Sequence, residues 1–317
     1  MTMLLARLLP YLTALLVSAS HLACAHAASV PQAEQLAPDV YAVFGDTGVA
    51  SPANHGVVGN VGILVGPLGV ILIDTGTSAR HARALLAEIR ALTDKPLVLA
   101  INTHQNPAFV FGNGTLRHAG VPILAHQDTD ALIDQRCIRC LKLLESALGA
   151  QEMEGTEVVR PTQTIAQSAS ITAGGRTIDI LYYGPTSAPG SVSVYDRASG
   201  VLFGGGMVSL DRIPDAKDAD IGQWRAALAS LQALGPVLVV PGEGPASQPV
   251  RLTELDGYLA RLGPVVQAAF DQRLSLGDAA AAAPVVPYSH WAQYDNMHRK
   301  NVEALYLRLE KAGLEPR

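Results

Sequence analysis

Apolar runs separated by polar breaks predict alternating strands and helices in the first half of the chain. The short runs are rich in Val, Ile and Leu and end in small or polar residues, which is typical of buried strands. Longer stretches between them have apolar residues at helical spacing. We predict strands at residues 40–44, 57–65, 70–74, 97–101 and 121–125, and helices at 78–92 and 128–148.

The second half repeats this pattern and then becomes helical. Strands are predicted at residues 168–171, 177–183, 191–195, 201–204 and 237–240, with a helix at 221–234. From residue 248 onward the pattern is helical. It is interrupted at 279–287, where the Ala and Pro content predicts a tether, and it ends in a docked helix at 291–311. Two β-rich halves with helices predict an α/β fold of two sheets packed face to face, with the helices outside.

Charge and the N-terminus narrow the location and the class of partner. The chain has 23 Lys and Arg against 28 Asp and Glu, a net charge of -5, and no long basic run, so we expect no nucleic-acid partner. Arg7, the apolar run after it and Ala25-His26-Ala27 have the order of a secretory signal. We predict cleavage after Ala27, a periplasmic or secreted protein, and no membrane span after cleavage. An uncleaved anchor is the alternative.

The cysteines divide between the predicted signal and the mature chain. Cys24 would leave with the signal, whereas Cys137 and Cys140 remain as a C-x-x-C pair in an oxidising compartment. We predict a static disulfide between them. The alternative is a redox-active pair, which Arg136 and Arg139 would favour.

Polar residues follow several predicted strands directly, and in α/β folds such strand ends gather at one crevice where ligands bind. The junctions are Asp74-Thr75-Gly76, Asn102-Thr103-His104, Gly184-Pro185, Gly204-Gly205-Gly206 and Pro241-Gly242-Glu243-Gly244-Pro245. In this order and spacing, from about Val40 to Pro245, they resemble the metallo-β-lactamase superfamily. The resemblance implies a four-layer αβ/βα sandwich over residues 28–247, after the signal at 1–27, with a C-terminal helical extension at 248–317.

The resemblance also shows which metal ligands this chain has lost. The family motif Thr-His-x-His-x-Asp-His corresponds here to residues 103–109, so His104 is the only retained family ligand. The other family ligand positions hold Asn106, Ala108, Phe109, Ser187, Gly206 and Glu243. Zinc needs three or four N, S or O donors around one point, and alanine, phenylalanine and glycine side chains supply none. We therefore expect no tight zinc, and we expect Phe109 to pack into the pocket.

A single weakly held zinc is the alternative expectation for the cofactor. Its candidate ligands are His104, Glu243 and Asp74, joined by His55 from a loop predicted to overhang the crevice. Asp74 and Glu243 are also the only candidates for a catalytic acid or base. The alternative interpretation of Asp74 is a structural role, because an acid at a strand end commonly holds a turn by accepting hydrogen bonds from backbone N–H groups.

Within the superfamily, the chain most resembles the quinoprotein relay system zinc metallohydrolases, SoxH-like exported proteins found beside pyrroloquinoline-quinone dehydrogenases. The resemblance rests on residues 60–62 and 73–78, the cysteine pair and the tail at 291–310.

This resemblance leads to three hypotheses for function. The first is a catalytically impaired homologue, a pseudoenzyme, that binds a small ligand or a periplasmic quinoprotein dehydrogenase partner in a crevice formed by His55, Asp74, His104, Asn106, Ser187 and Glu243. The second is a hydrolase with a remodelled mononuclear zinc site. The third is a thiol redox or relay protein that uses Cys137 and Cys140.

Overall fold

A computed structural model describes residues 32–314, so the predicted signal and Cys24 lie outside the described residues. The first sheet has seven strands in chain order, antiparallel from β1 to β4 and parallel from β4 to β7. They are β1 Glu34–Ala37, β2 Val40–Val43, β3 Val61–Val65, β4 Val70–Ile73, β5 Leu97–Asn102, β6 Ile123–His126 and β7 Gln163–Ile165.

The second sheet has five strands in the order β12-β11-β10-β9-β8. Its pairs are antiparallel except β11 with β12, which run parallel. The strands are β8 Ala169–Ala173, β9 Arg176–Leu181, β10 Ser193–Asp196, β11 Val201–Ser209 and β12 Leu238–Glu243.

The helices begin where polar side chains cap free backbone N–H groups. The Ser78 hydroxyl accepts from the N–H of His81 at the start of α1, and the Asp220 carboxylate accepts from the N–H of Gln223 at the start of α5. The helices are α1 Ala79–Leu92, α2 Pro107–Val110, α3 Asn113–His118, α4 Gln127–Leu148, α5 Ile221–Ala233, α6 Leu252–Asp271, α7 Leu276–Ala282 and α8 Arg299–Leu314.

Three apolar clusters define the layers of the molecule. Ile71 and Leu124 of the first sheet pack between the sheets against Val194 and Val240 of the second. On the outer face of the first sheet, the other side chains of β4 and β6 pack against α1 and α3, and the outer face of the second sheet packs against α5, α6 and α8. This arrangement confirms the predicted four-layer αβ/βα sandwich with a C-terminal helical extension.

The extension is docked throughout, which corrects the predicted tether at 279–287. Ala279 lies in α7, and it is fully buried together with Ala283 against the outer face of the second sheet. Small alanines allow α7 to approach its neighbours closely, so the composition reflects tight packing rather than a linker. The predicted terminal helix begins as a π-helical turn, Tyr294–His298, and continues as α8; the Tyr258 hydroxyl lies 3.1 Å from both His298 Nδ1 and Asn301 Nδ2.

The predicted strand at 57–65 is shorter than expected because its first residues form a turn. Asn60 holds this turn: its side-chain amide donates to the carbonyls of Pro241 and Gly244 at 2.8 and 2.7 Å. Strands β1 and β7 were not predicted. Among residues 32–314, no helix combines the length and the apolar character that crossing a bilayer requires.

Candidate functional site

The ends of β4 and β5 place Asp74, Thr103 and His104 in one hydrogen-bonded chain. The Asp74 carboxylate accepts from the Thr103 N–H and from the Thr103 hydroxyl, each at 2.8 Å, and that hydroxyl lies 3.0 Å from His104 Nδ1. Burial raises the pKa of Asp74 to about 8, and the two bonds from Thr103 oppose the rise. Asp74 therefore ties two strand ends together and orients the His104 ring through Thr103.

The His104 ring is packed tightly on two sides. The ring centroids of His104 and Phe109 are 4.4 Å apart, and a Cβ atom placed on Gly206 would lie 2.6 Å from His104 Cγ. Burial, helped by the positive charge of Lys217, lowers the pKa of His104 to about 3. The ring is therefore neutral at physiological pH, and the space beside it is filled by Phe109 and by backbone.

The other residues at family ligand positions have structural partners. The Asn106 side chain accepts from the N–H of Ala108 at the start of α2, and the Ser187 hydroxyl lies 2.9 Å from that of Ser191. Ala108 is buried beside Phe109 in the same apolar cluster.

Glu243, at the end of β12, forms an ion pair that the sequence did not reveal. Its Oε1 lies 2.9 Å from Arg212 Nη1, and Arg212 is only 6 % exposed. Burial raises the pKa of Glu243, and the charge of Arg212 opposes that rise. Two side-chain nitrogens of Arg212, Nε and Nη1, have no well-aligned hydrogen-bond acceptor, so the guanidinium depends on the charge of Glu243.

These strand ends enclose a cavity of about 180 Å³. Of the residues singled out from the sequence, those that line it are His104, Asn106, Phe109, Cys137, Cys140, Ser187, Gly206 and Glu243. Asp74 and Ala108 lie behind the wall, so Asp74 is not a crevice residue. The segment after β11 adds charged lining residues that the sequence analysis missed, Asp215, Lys217 and Asp218. A cluster of acids and bases at 211–220 was the available signal.

His55 does not overhang the cavity as predicted. Its Nδ1 lies 2.8 Å from Glu152 Oε2, and Arg80 Nη1 lies at the same distance from that oxygen. This contact joins residues 97 positions apart in the chain, so local pattern could not reveal it. His55 therefore belongs to an ion-pair cluster beside α1 and not to the crevice.

The two cysteines are free thiols in the structure, which corrects the predicted disulfide. Both lie on α4, three residues apart, where the helix keeps their side chains on one face without closing the bond. Cys137 is fully buried and its Sγ lies 3.7 Å from the Gln105 carbonyl oxygen, whereas Cys140 is partly exposed at the cavity.

Comparisons with known proteins agree with this fold. The fold is an αβ/βα sandwich with a crevice at the strand ends. The family model for the metallo-beta-lactamase superfamily matches residues 56–243, more than half of the chain, and the chain belongs to this superfamily.

Among solved structures, a metallo-beta-lactamase from Pontibacter korlensis matches with a TM-score of 0.59 and 21% identity, covering 72% of this chain and 98% of that one. A stereoselective inverting sec-alkylsulfatase from Pseudomonas sp. matches with a TM-score of 0.68 and 18% identity, covering 90% of this chain and 52% of that one. A curated linear primary-alkylsulfatase from Pseudomonas sp. is 25% identical over an alignment of 217 residues, and the match covers 58% of this chain but only 40% of that protein. The chain therefore spans less than half the length of this curated relative, and these likenesses are to the shared fold.

The residues present do not fit the zinc centre that the family implies. Within residues 32–314, no three His, Cys, Asp or Glu side chains are grouped so that they can hold a metal ion. The candidate donors have other partners: Asp74 accepts from Thr103, Glu243 pairs with Arg212, and His55 contacts Glu152. Holding zinc between His104 and Glu243 would require breaking the buried ion pair.

Proposed function

We propose that the chain is an exported, catalytically impaired member of the superfamily whose crevice binds a small ligand without zinc chemistry. The observation that carries the proposal is the packing of His104 between Phe109 and Gly206. Protein atoms fill the space beside the one retained family ligand, while the cavity in front of it stays open to a small molecule.

The charges around the cavity limit the chemistry of this ligand. Each cation that lines it has an acid within ion-pair distance: Arg136 lies 2.6 Å from Asp218, and Lys217 contacts Asp215. Phe109 and Val208 add apolar surface to the lining. A small neutral or zwitterionic ligand suits this balanced lining better than an alkyl sulfate, whose full negative charge would find each cation already paired.

The first test is zinc content and hydrolysis by the purified mature protein. We expect zinc well below stoichiometric amounts, and no chelator-sensitive hydrolysis of a β-lactam or a linear alkyl sulfate. Stoichiometric zinc with hydrolysis that a chelator removes and zinc restores would overturn the proposal. The mononuclear zinc hydrolase predicts instead that His104→Ala and Glu243→Ala each abolish zinc uptake.

The SoxH-like placement extends the proposal to location and partner. It rests on the retained turn at residues 60–62, the segment 73–78 and the docked tail, and it proposes a periplasmic protein that serves a quinoprotein dehydrogenase system. N-terminal sequencing of the exported protein should begin at Ala28. Retention of residues 1–27 in the exported protein would contradict signal cleavage.

Gene disruption with complementation tests the partner. Loss of the chain should lower quinoprotein dehydrogenase activity, and the wild-type chain should restore it. Ser187→Trp, which places a large ring in the cavity, should fail to restore activity, whereas Ser146→Trp on the exposed face of α4 should succeed. Equal rescue by both variants would remove the crevice from this function.

A further inference from the structure

Two thiols on α4 face the same cavity as His104, and the zinc-free binding function makes no use of them. Cys137 and Cys140 are three residues apart, and both line the cavity. Cys137 is fully buried, with its Sγ 3.7 Å from the Gln105 carbonyl oxygen, whereas Cys140 is partly exposed. One thiol is therefore accessible from the cavity, and the second is held directly behind it.

The surroundings of the pair stabilise a thiolate on Cys140 rather than on Cys137. The neighbouring Cys137 thiol and the positive charges of Lys217, Arg136 and Arg139 lower the pKa of Cys140 to about 6, against the effect of burial. The neighbouring Cys140 and burial raise the pKa of Cys137. The charged and titratable groups that share the cavity lining with the thiols are His104, Arg136, Asp215, Lys217, Asp218 and Glu243.

Helix geometry makes a disulfide between these residues possible but strained. Side chains three residues apart on a helix have Cβ atoms about 5–6 Å apart, whereas a disulfide brings Cβ atoms to about 3.5–4.5 Å. Closing the bond therefore requires α4 to distort locally, and strained disulfides are more easily reduced. The pair is suited to reversible exchange rather than to permanent cross-linking.

We propose that Cys140 and Cys137 form a thiol–disulfide exchange site that opens into the cavity and reacts with a small-molecule disulfide. The Cys140 thiolate attacks one sulfur of the substrate, forming a mixed disulfide and releasing the other half as a thiolate. Cys137 then loses its proton to solvent and attacks the Cys140 sulfur, which releases the second half as a thiolate. The protein is oxidised by two electrons and the substrate disulfide is reduced by the same two.

The size of the cavity selects the substrate. A volume of about 180 Å³ beside a partly buried Cys140 admits an aliphatic disulfide of low molecular weight and excludes a folded protein. The exchange site stands independently of the crevice ligand, because the reaction needs only the thiols and their charged neighbours.

Exchange with bis(2-hydroxyethyl) disulfide, a small neutral aliphatic disulfide, tests the proposal in the full chain carrying Cys24→Ser, so that only the pair is counted. The reduced protein is mixed with this disulfide without oxygen, quenched with acid, alkylated and analysed by peptide mass spectrometry. We expect the parent to lose both free thiols as an intramolecular disulfide. Cys137→Ala should stop at a 2-mercaptoethanol adduct on Cys140, and Cys140→Ala should react at least about tenfold more slowly.

Two results would overturn the exchange site. One is equal reaction rates for Cys137→Ala and Cys140→Ala when both retain the parent's circular dichroism and melting temperature. The other is a parent protein that keeps the 2-mercaptoethanol adduct on Cys140 without resolving it to the intramolecular disulfide.

Lys217→Met supplies a readout that a purely structural role of Lys217 would not change. The pH midpoint of Cys140 alkylation should rise from about 6 towards that of an ordinary thiol, because the variant removes one of the charges that favour the thiolate. Lys142→Met, on the exposed side of α4, is the matched control and should leave the midpoint unchanged. An unchanged midpoint in Lys217→Met would contradict the proposed activation of Cys140.

Discussion

The two walls of the cavity fill the space around the family's ligand positions in different ways. The first-sheet wall, residues 104–109, uses a neutral imidazole stacked on a buried phenyl ring. The second-sheet wall, residues 206–218 with Glu243, uses a glycine and a buried ion pair to Arg212. Packing stabilises the first wall without any charge, whereas the second is destabilised when one charge of its ion pair is removed without the other. The positions that hold metal donors in the family are thus filled by packed side chains in the first wall and by an ion pair in the second.

The largest effect is expected at the first-sheet wall. Phe109→Ala removes a ring that is 1 % exposed and leaves a cavity beside His104, so we expect a loss of about 4 kcal/mol in the free energy of unfolding. Urea denaturation measures it, and Phe109→Leu, which keeps most of the volume, is the control with a smaller loss. A loss below about 1 kcal/mol for the alanine variant would mean that the ring does not support this wall.

At the second-sheet wall the pattern of single and double variants should differ. Glu243→Ala leaves the Arg212 guanidinium buried without its acid, and we expect a loss of about 3 kcal/mol. The double variant Arg212→Met with Glu243→Leu removes both charges and should recover most of that loss, as chemical denaturation of the purified variants can measure. Additive losses in the double variant would show that the wall does not depend on charge pairing.

The smallest expected effect is a pH-dependent change in stability at α1, the helix that packs on the outer face of the first sheet. His81 in α1 is buried, and burial lowers its pKa to about 4. A folded pKa below the unfolded value means that the stability contributed by the neutral ring is present above about pH 6.5 and is lost towards pH 4. When the pH falls from 6.5 to 5, the wild type should therefore lose about 2 kcal/mol more of its free energy of unfolding than the His81→Gln variant loses.

Denaturation curves at several pH values measure this gap. Ile89→Val, a change at a buried apolar residue of the same helix, serves as the control, because its gap from the wild type should stay constant over the same range. A constant gap for His81→Gln would show that the ring is not held neutral by burial.

The sequence predicted the two sheets and the strand ends that line the cavity, because these depend on local pattern. It also predicted that Phe109 packs, since a large apolar side chain beside a strand end is usually buried. The contacts it missed are between residues distant in the chain: Glu243 with Arg212, and His55 with Glu152. The prediction of a tether at 279–287, where α7 ends, was wrong because alanine and proline occur both in linkers and in tightly packed short helices.

The close approach of Gly206 to His104 limits how this protein can be re-engineered. A carboxylate introduced at position 206 has no room until the imidazole shifts, and the imidazole cannot shift while the phenyl ring of Phe109 stands against it. Restoring a metal centre therefore requires position 109 to be changed before position 206. A library that varies position 206 while keeping Phe109 would leave the imidazole in place and the introduced carboxylate without room.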